Sequence, residues 1–303
     1  MADGDAQGAT HRRQALAITG LLAVTAAWGL TFILVKWTVA EVDVYYFLLL
    51  RFTAALLLLA AIFHRRMGRI RGDTVLASLA LSALMFTVYT TQTEGLRITT
   101  ASNSALITGL YMVLIPIFSL IYPGRKPGAL AIAGIVVAVP GLWLLTSGSL
   151  NGLNSGDLLT LICACACAWH IILTGRFASR HNIIQLVIFQ FLFVAVMSGI
   201  AMVIKGAAPT SLPPIGWLTV IVTAVFATAM AFTIQTWAQR VIDPTRTGII
   251  FAMEAVFGAL FGWWLGGETM APIAFAGACL MVAGMGISEI RPLAKYAIDK
   301  IVG

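Results

Sequence analysis

Apolar runs of about 20 residues, one after another, constrain this chain more than any motif in it. They fall at residues 15–35, 44–63, 74–93, 101–122, 127–147, 157–177, 184–204, 215–236, 247–265 and 271–290. Each is long enough to cross the hydrocarbon core of a bilayer as an α-helix, and most of the short segments between them carry prolines, glycines or charges. A backbone surrounded by lipid has no water to bond, so runs of this length fold as helices. The expected fold class is an all-α integral membrane protein with ten transmembrane helices. Composition agrees: the 303 residues are 60% hydrophobic and 10% charged. A soluble domain of this size carries about a quarter charged residues.

The formal net charge of +7 does not point to nucleic acid, because the basic residues are scattered through short loops rather than gathered on one face. Their distribution orients the chain instead. With the amino terminus in the cytoplasm, 15 of the 19 Lys and Arg fall in cytoplasmic segments, three fall outside (Lys36, Arg97 and Lys205), and Arg51 lies within a span. Both termini are then cytoplasmic, in a multi-pass protein of the cell (inner) membrane. The first apolar run continues past Trp28 to Lys36, longer than a signal-peptide core, so it reads as a retained membrane helix.

The chain also repeats itself. Residues 92–141 shifted by 143 lie on 235–284 without a gap, and 12 of the 50 positions are identical, among them Gln92/Gln235, Arg97/Arg240, Gly134/Gly277 and Gly141/Gly284. One period of about half the chain means two copies of one unit. The organisation is a tail (1–14), a five-helix unit (15–147), an external linker (148–156), a second five-helix unit (157–290) and a tail (291–303). Five is odd, so the second copy enters the membrane inverted. Arg125-Lys126 in a cytoplasmic loop aligns with Glu268-Thr269 in an external one, as inversion requires. Inverted repeats are a recurring plan among secondary transporters, whose substrate site lies near the midplane between the copies.

Such a pathway should be lined by equivalent faces of equivalent helices. Met85, Tyr89 and Gln92 share a helix face, and Thr228, Phe232 and Gln235 match them at the 143-residue offset. Asn103, Ile107 and Tyr111 form a second stripe, matched by Arg246, Ile250 and Glu254. Trp28 and Thr31 have a looser counterpart in Trp169 and His170. These stripes combine aromatic surface with amide, hydroxyl and ionisable groups, as sites for small polar organic molecules do.

Each residue also has a plainer reading. Gln92 and Gln235 serve equally well as interhelical hydrogen-bond partners, and Tyr89 as an interfacial anchor. Glu254, near the middle of the ninth span, costs a few kcal/mol unless paired, hydrated or protonated. Its candidate tasks are binding a substrate amine, carrying a proton (with His170 as a second candidate) and pairing with a structural partner. Arg51 reads as structural, and Arg246 as a positive-inside anchor. Gly258, Gly262 and Gly266, spaced by four, allow close helix approach, within the scaffold or at a dimer interface. Pro116 and Pro140 interrupt the fourth and fifth spans.

Cys163, Cys165 and Cys167 step by two along one helix, and no His or second Cys cluster completes a zinc pattern, so they read as packing residues. Neither a metal nor a cofactor is expected. The four His include no HExxH, and no GxSxG or carboxylate cluster is present, which leaves a multi-pass enzyme a remote alternative. The expected partners are a small-molecule substrate, the bilayer and protons as a candidate coupling ion, with the chain a monomer or homodimer.

The run Gly95-Leu96-Arg97, Thr99-Thr100-Ala101-Ser102-Asn103-Ser104-Ala105, Thr108-Gly109-Leu110-Tyr111 and Ile115-Pro116 resembles the first repeat of the EamA family, of the drug/metabolite transporter superfamily. Asp243-Pro244-Thr245-Arg246, Met253-Glu254 and Leu265-Gly266-Gly267-Glu268 resemble its second repeat, and Trp28-Gly29 and Leu50-Arg51-Phe52 fit as well. The resemblance covers about residues 15–290. It implies a ten-helix carrier working by alternating access, often exporting amino acids, metabolites or toxic organic compounds. Two departures stand out. Glu254-Ala255 replaces a frequent Glu-Pro, removing a proline kink, and Arg125-Lys126 stands where a Glu is common.

Overall fold

The computed structural model describes residues 2–99, 104, 107–121, 127–145, 154–266 and 271–302, and the described residues are helical with short connections. In chain order the helices are α1 (Ala2–Val39), α2 (Val44–Phe63), α3 (Gly72–Leu96), α4 (Tyr111–Ile121), α5 (Ala129–Leu145), α6 (Ser155–Ala178) and α7 (Ile183–Ile204). They continue with α8 (Pro214–Ala238), α9 (Pro244–Leu265) and α10 (Pro272–Val302). Among the described residues seven helices are long and apolar enough to cross a membrane, and three apolar helices are shorter: Ile107–Ile121, Ala129–Leu144 and Pro272–Ser288. The first and last helices run beyond the apolar stretches at 15–35 and 271–290, since α1 starts at Ala2 and α10 runs to Val302. Asn103, Arg125, Lys126, Glu268, Thr269 and most of the 148–156 linker lie outside the described residues.

Polar residues at the helix starts satisfy the N–H groups that a helix leaves unbonded. The Asp43 carboxylate accepts from the Tyr45 and Tyr46 amides and starts α2. Asn154 and Asp157 form a reciprocal capping box on α6, and Asn182 starts α7. Asp243 accepts from the Arg246 amide, with Pro244 at the first helical position of α9. Two helices are irregular. A π-helical turn, Val225–Met230, sits inside α8. The ninth helix divides at Ala252 into Pro244–Phe251 and Met253–Gly266, so a discontinuity is present here without the Glu-Pro proline.

The halves are interleaved rather than side by side. The most extensive packing joins α5 to α10, α3 to α6 and α7, α2 to α7 and α8, α1 to α8 and α9, and α4 to α6 and α9. Exchange each helix of the first five with its counterpart in the second, and this pattern maps onto itself.

The crossing of α5 and α10 shows how closely. Gly134 meets the Gly284 carbonyl and Gly141 meets the Gly277 carbonyl, so one helix rises as the other falls. A Cβ at Gly134 would stand 2.6 Å from the Gly284 oxygen, and one at Gly284 would stand 2.6 Å from the Gly134 oxygen. The same glycines matched in sequence as 134/277 and 141/284, so the two pairings swap as an antiparallel crossing demands. Close backbone approach recurs at Gly29, where a Cβ would lie 2.7 Å from the Gly258 amide nitrogen.

Replacing Gly134 or Gly284 with Val should therefore lower stability by about 1–3 kcal/mol through overpacking against backbone. Gly286, with open space around its missing Cβ, should accept Ala neutrally or with a gain of up to about 1 kcal/mol. Thermal unfolding of the detergent-solubilised chain, followed by tryptophan fluorescence, reads both.

Candidate functional site

A cavity open on one side lies where α1, α2, α3, α4, α6, α8 and α9 converge, with about 820 Å³ of empty space counting the part continuous with the exterior. The packing below it explains where it stops. Towards the amino-terminal end of α1, Leu21, Val24, Met112, Ile115, Ile250 and Met253 are buried in one apolar cluster. Towards the other ends of α1 and α3 the lining continues through Val35, Thr93 and Leu96. Near that end the Glu94 carboxylate accepts from Lys205 at 2.8 Å, joining α3 to the end of α7. This hydrogen bond holds the Lys205 ammonium above its ordinary pKa.

The structure brings together most of the residues that the sequence singled out. From α1 come Trp28 and Thr31, and from α3 the face of Met85, Tyr89 and Gln92. Tyr111 enters from α4 and His170 from α6, while Phe232 and Gln235 come from α8 and Glu254 from α9. Three others lie elsewhere. Trp169 stacks on Phe118 with ring centroids 5.2 Å apart, one residue round the helix from His170 and off the lining. Ile107 is buried without lining the cavity. Thr228 is fully buried and its hydroxyl accepts from Arg51 Nε at 2.7 Å. Asn103 lies outside the described residues.

Thr228 is displaced for a physical reason. It sits inside the π-helical turn, which inserts one residue and rotates the helix before it by about 100°. Downstream of the turn the repeat register holds, so Phe232 and Gln235 face the cavity as Tyr89 and Gln92 do. Upstream it fails. The turn also leaves the Ala227 carbonyl open to partners from other helices. Trp28 Nε1 donates to it at 2.8 Å and Arg51 Nη2 at 3.3 Å.

Arg51, read from sequence as structural, also borders the cavity. It is 3% exposed and stands 4.5 Å above the centre of the Tyr89 ring, with Nη2 also donating to the Tyr89 hydroxyl at 3.3 Å. Its depth in an apolar helix gave the hint; three-dimensional proximity to Thr228 and Ala227 did not show in the sequence. Phe32, Thr108, Cys167, Ile171 and Phe251 also line the cavity and were not singled out.

An aromatic lattice shapes the walls. Trp28 packs on Phe232 and Phe251 at 5.8 and 4.8 Å, Tyr89 on Phe232 at 6.2 Å, and His170 edge-on to Phe232 at 5.7 Å. His170 is hydrogen-bonded through Nε2 to Gln190 Oε1 at 3.0 Å, which fixes its ring. Among the described residues Glu254 makes no hydrogen bond or ion pair, and the buried atoms Gln235 Oε1 and Thr108 Oγ1 have no partner. Such acceptors are costly in a dry site unless something donates to them. The arrangement suits reversible binding of a molecule that supplies donors to Glu254 and acceptors to Arg51.

Comparison with known proteins gives the same broad reading. The chain is 28% identical over 284 residues to an uncharacterized transporter of Archaeoglobus fulgidus, covering 94% of this chain and 89% of that one. It is 27% identical over 270 residues to the uncharacterized inner membrane transporter YedA of Escherichia coli strain K12, with 86% and 87% covered. A solved crystal structure superposes with a TM-score of 0.78 at 17% identity over 92% of this chain and 99% of the other, a likeness of fold. The model of the EamA-like transporter family matches residues 15–147 and again 154–288. The chain belongs to the EamA-like transporter family and is a multi-pass membrane transporter.

Proposed function

We propose that this transporter is a secondary active carrier that exports small amphipathic metabolites, amino acids or their relatives, by alternating access. In this reading ten membrane helices form two inverted five-helix units, residues 15–147 and 157–290, with both termini in the cytoplasm of a cell whose inner membrane holds the chain. The observation that carries it is the cavity: charged, amide and aromatic side chains from both halves converge on one space inside an otherwise apolar bundle. The antiparallel glycine crossing of α5 and α10 supports the inversion. Given a cytoplasmic amino terminus, the cavity faces outward, and the apolar packing around Leu21, Ile115 and Ile250 forms the closed inner side.

Efflux of cationic compounds is a second reading, favoured by Trp28, Tyr89 and Tyr111 around the carboxylate of Glu254. Arg51 in the same wall weighs against it, since a cation there repels a purely cationic substrate.

The purified chain in sealed liposomes should move at least one member of an amino-acid panel saturably and without chemical conversion, and competition with a quaternary amine should be weak. Conversion of the compound, or stronger competition by the amine than by amino acids, overturns the leading reading. Proton coupling has its own test. Wild-type transport should respond to an imposed pH gradient, and Glu254→Gln should abolish that response while slowing transport at least about tenfold, the equivalent of about 1.4 kcal/mol. A Gln variant with the wild-type pH response removes Glu254 from proton coupling.

A further inference from the structure

A basic and an acidic side chain line this cavity without pairing with each other. Arg51 and Glu254 make no ion pair, and they keep different company. Arg51 Nη2 donates to the Tyr89 hydroxyl at 3.3 Å, whereas Glu254 shares the lining of an adjoining recess with Tyr111 and Thr108. Arg51 therefore marks one pole, with Tyr89 and the Ala227–Thr228 turn, and Glu254 marks the other, with Tyr111 and Thr108.

Each pole has unused bonding capacity of one kind. At the first, Arg51 Nε and Nη2 are engaged by Thr228, Tyr89 and Ala227, while Nη1 makes no hydrogen bond among the described residues. Two N–H donors on a cation held rigid by three partners are suited to a carboxylate. At the second, among the described residues, the Glu254 carboxylate makes no ion pair or hydrogen bond and Thr108 Oγ1 is buried without a partner. Gln235 Oε1, 1% exposed and on the same lining, is a further unsatisfied acceptor. Acceptors around a carboxylate are suited to an ammonium. The same lining includes Trp28, Phe232 and Phe251, packed on one another, which offer apolar surface and no charge.

We propose that the cavity is a two-pole site selective for zwitterions, in which Arg51 takes the substrate's carboxylate and Glu254, with Thr108 and Gln235, takes its ammonium. The assignment rests on the carrier reading and sharpens it. A bound zwitterion completes both unpaired charges at once, whereas a cation leaves Arg51 unmatched and an anion leaves Glu254 unmatched. Burying either charge without its counterpart is the main penalty, so selectivity arises from the pattern of substrate charges more than from its side chain.

Three probes sharing one carbon skeleton test this: L-leucine, L-leucinamide, which lacks the carboxylate, and 4-methylpentanoate, which lacks the ammonium. Affinities come from thermal-shift titration of the full chain in detergent, and rates from counterflow in liposomes. Leucine should bind wild type on the order of tenfold to a hundredfold more tightly than either analogue. Arg51→Gln should erase the leucine–leucinamide difference and keep the leucine–pentanoate difference, and Glu254→Gln should do the reverse. Arg51→Lys, which keeps the charge, should retain part of the carboxylate preference.

Equal wild-type affinity for the three probes, no binding of any of them, or variants that change both differences alike overturn the two-pole site. The wild-type comparison needs no variant, so a substitution that fails to fold leaves the test standing. Discriminating binding with no movement in liposomes keeps the poles and overturns the carrier. Movement of all three probes at one rate keeps the carrier and overturns the poles.

Discussion

One backbone carbonyl ties the bundle together. Lipid offers no hydrogen bonds, so a membrane helix has to satisfy its own backbone groups, and any departure from α-helical bonding needs partners from outside the helix. The π-helical turn of α8 is such a departure, and its Ala227 oxygen finds its partners in the first half of the chain, on Trp28 and Arg51. Arg51 has the converse problem, since a buried guanidinium is costly without acceptors. The carbonyl, the Thr228 hydroxyl and the Tyr89 ring meet that need together. The irregular turn and the buried cation thus stabilise each other, and their contact joins α1, α2, α3 and α8 beside the cavity.

That contact sits within a broader plan in which each half supports the other. The extensive packing runs across the halves: α1 on α8 and α9, α3 on α6 and α7, α5 on α10. A five-helix unit alone would expose the faces of Leu21, Phe52 and Phe191 that are fully buried here. Small residues set the closest approaches, Gly134 against Gly284 and Gly29 against Gly258, because only a missing Cβ lets two backbones come that near. Dispersion and shape then replace the hydrophobic effect, which gains little between helices already in lipid.

Much of this was legible in the sequence because it rests on period and sign. Helical spacing alone placed Met85, Tyr89 and Gln92 on one face, and that face lines the cavity. The 143-residue offset carried the same face to Phe232 and Gln235 but missed at Thr228, because an inserted residue within an apolar run leaves no mark in the apolar pattern. Trp169 was expected on the lining and lies off it for a related reason. Its match to Trp28 used a looser offset than the repeat's own, and a shift of one residue turns a side chain by about 100°, here from the cavity onto Phe118. Arg51 read as structural, and its bonds to Thr228 and Ala227 fit that; that it also borders the cavity was not legible, because a chain of letters does not show which helix faces it.

The two halves agree in scaffold and differ in charge, and the caps make the difference measurable. Arg51 lies eight residues after the cap Asp43, and Gln190 lies eight residues after the cap Asn182. Both are buried, and each engages a cavity-lining side chain, Tyr89 for Arg51 and His170 for Gln190, while the Arg51 side chain also reaches across to Thr228 and Ala227 of the other half. One copy puts a cation where the other puts a neutral amide. Likewise Tyr111 stands where the second copy has Glu254. With Gln and Tyr alone the cavity would be a nearly symmetric polar slot. These two differences put the cavity's cation on the first copy and its carboxylate on the second. The scaffold can keep its two-fold packing because neither change touches the glycine crossings that hold it.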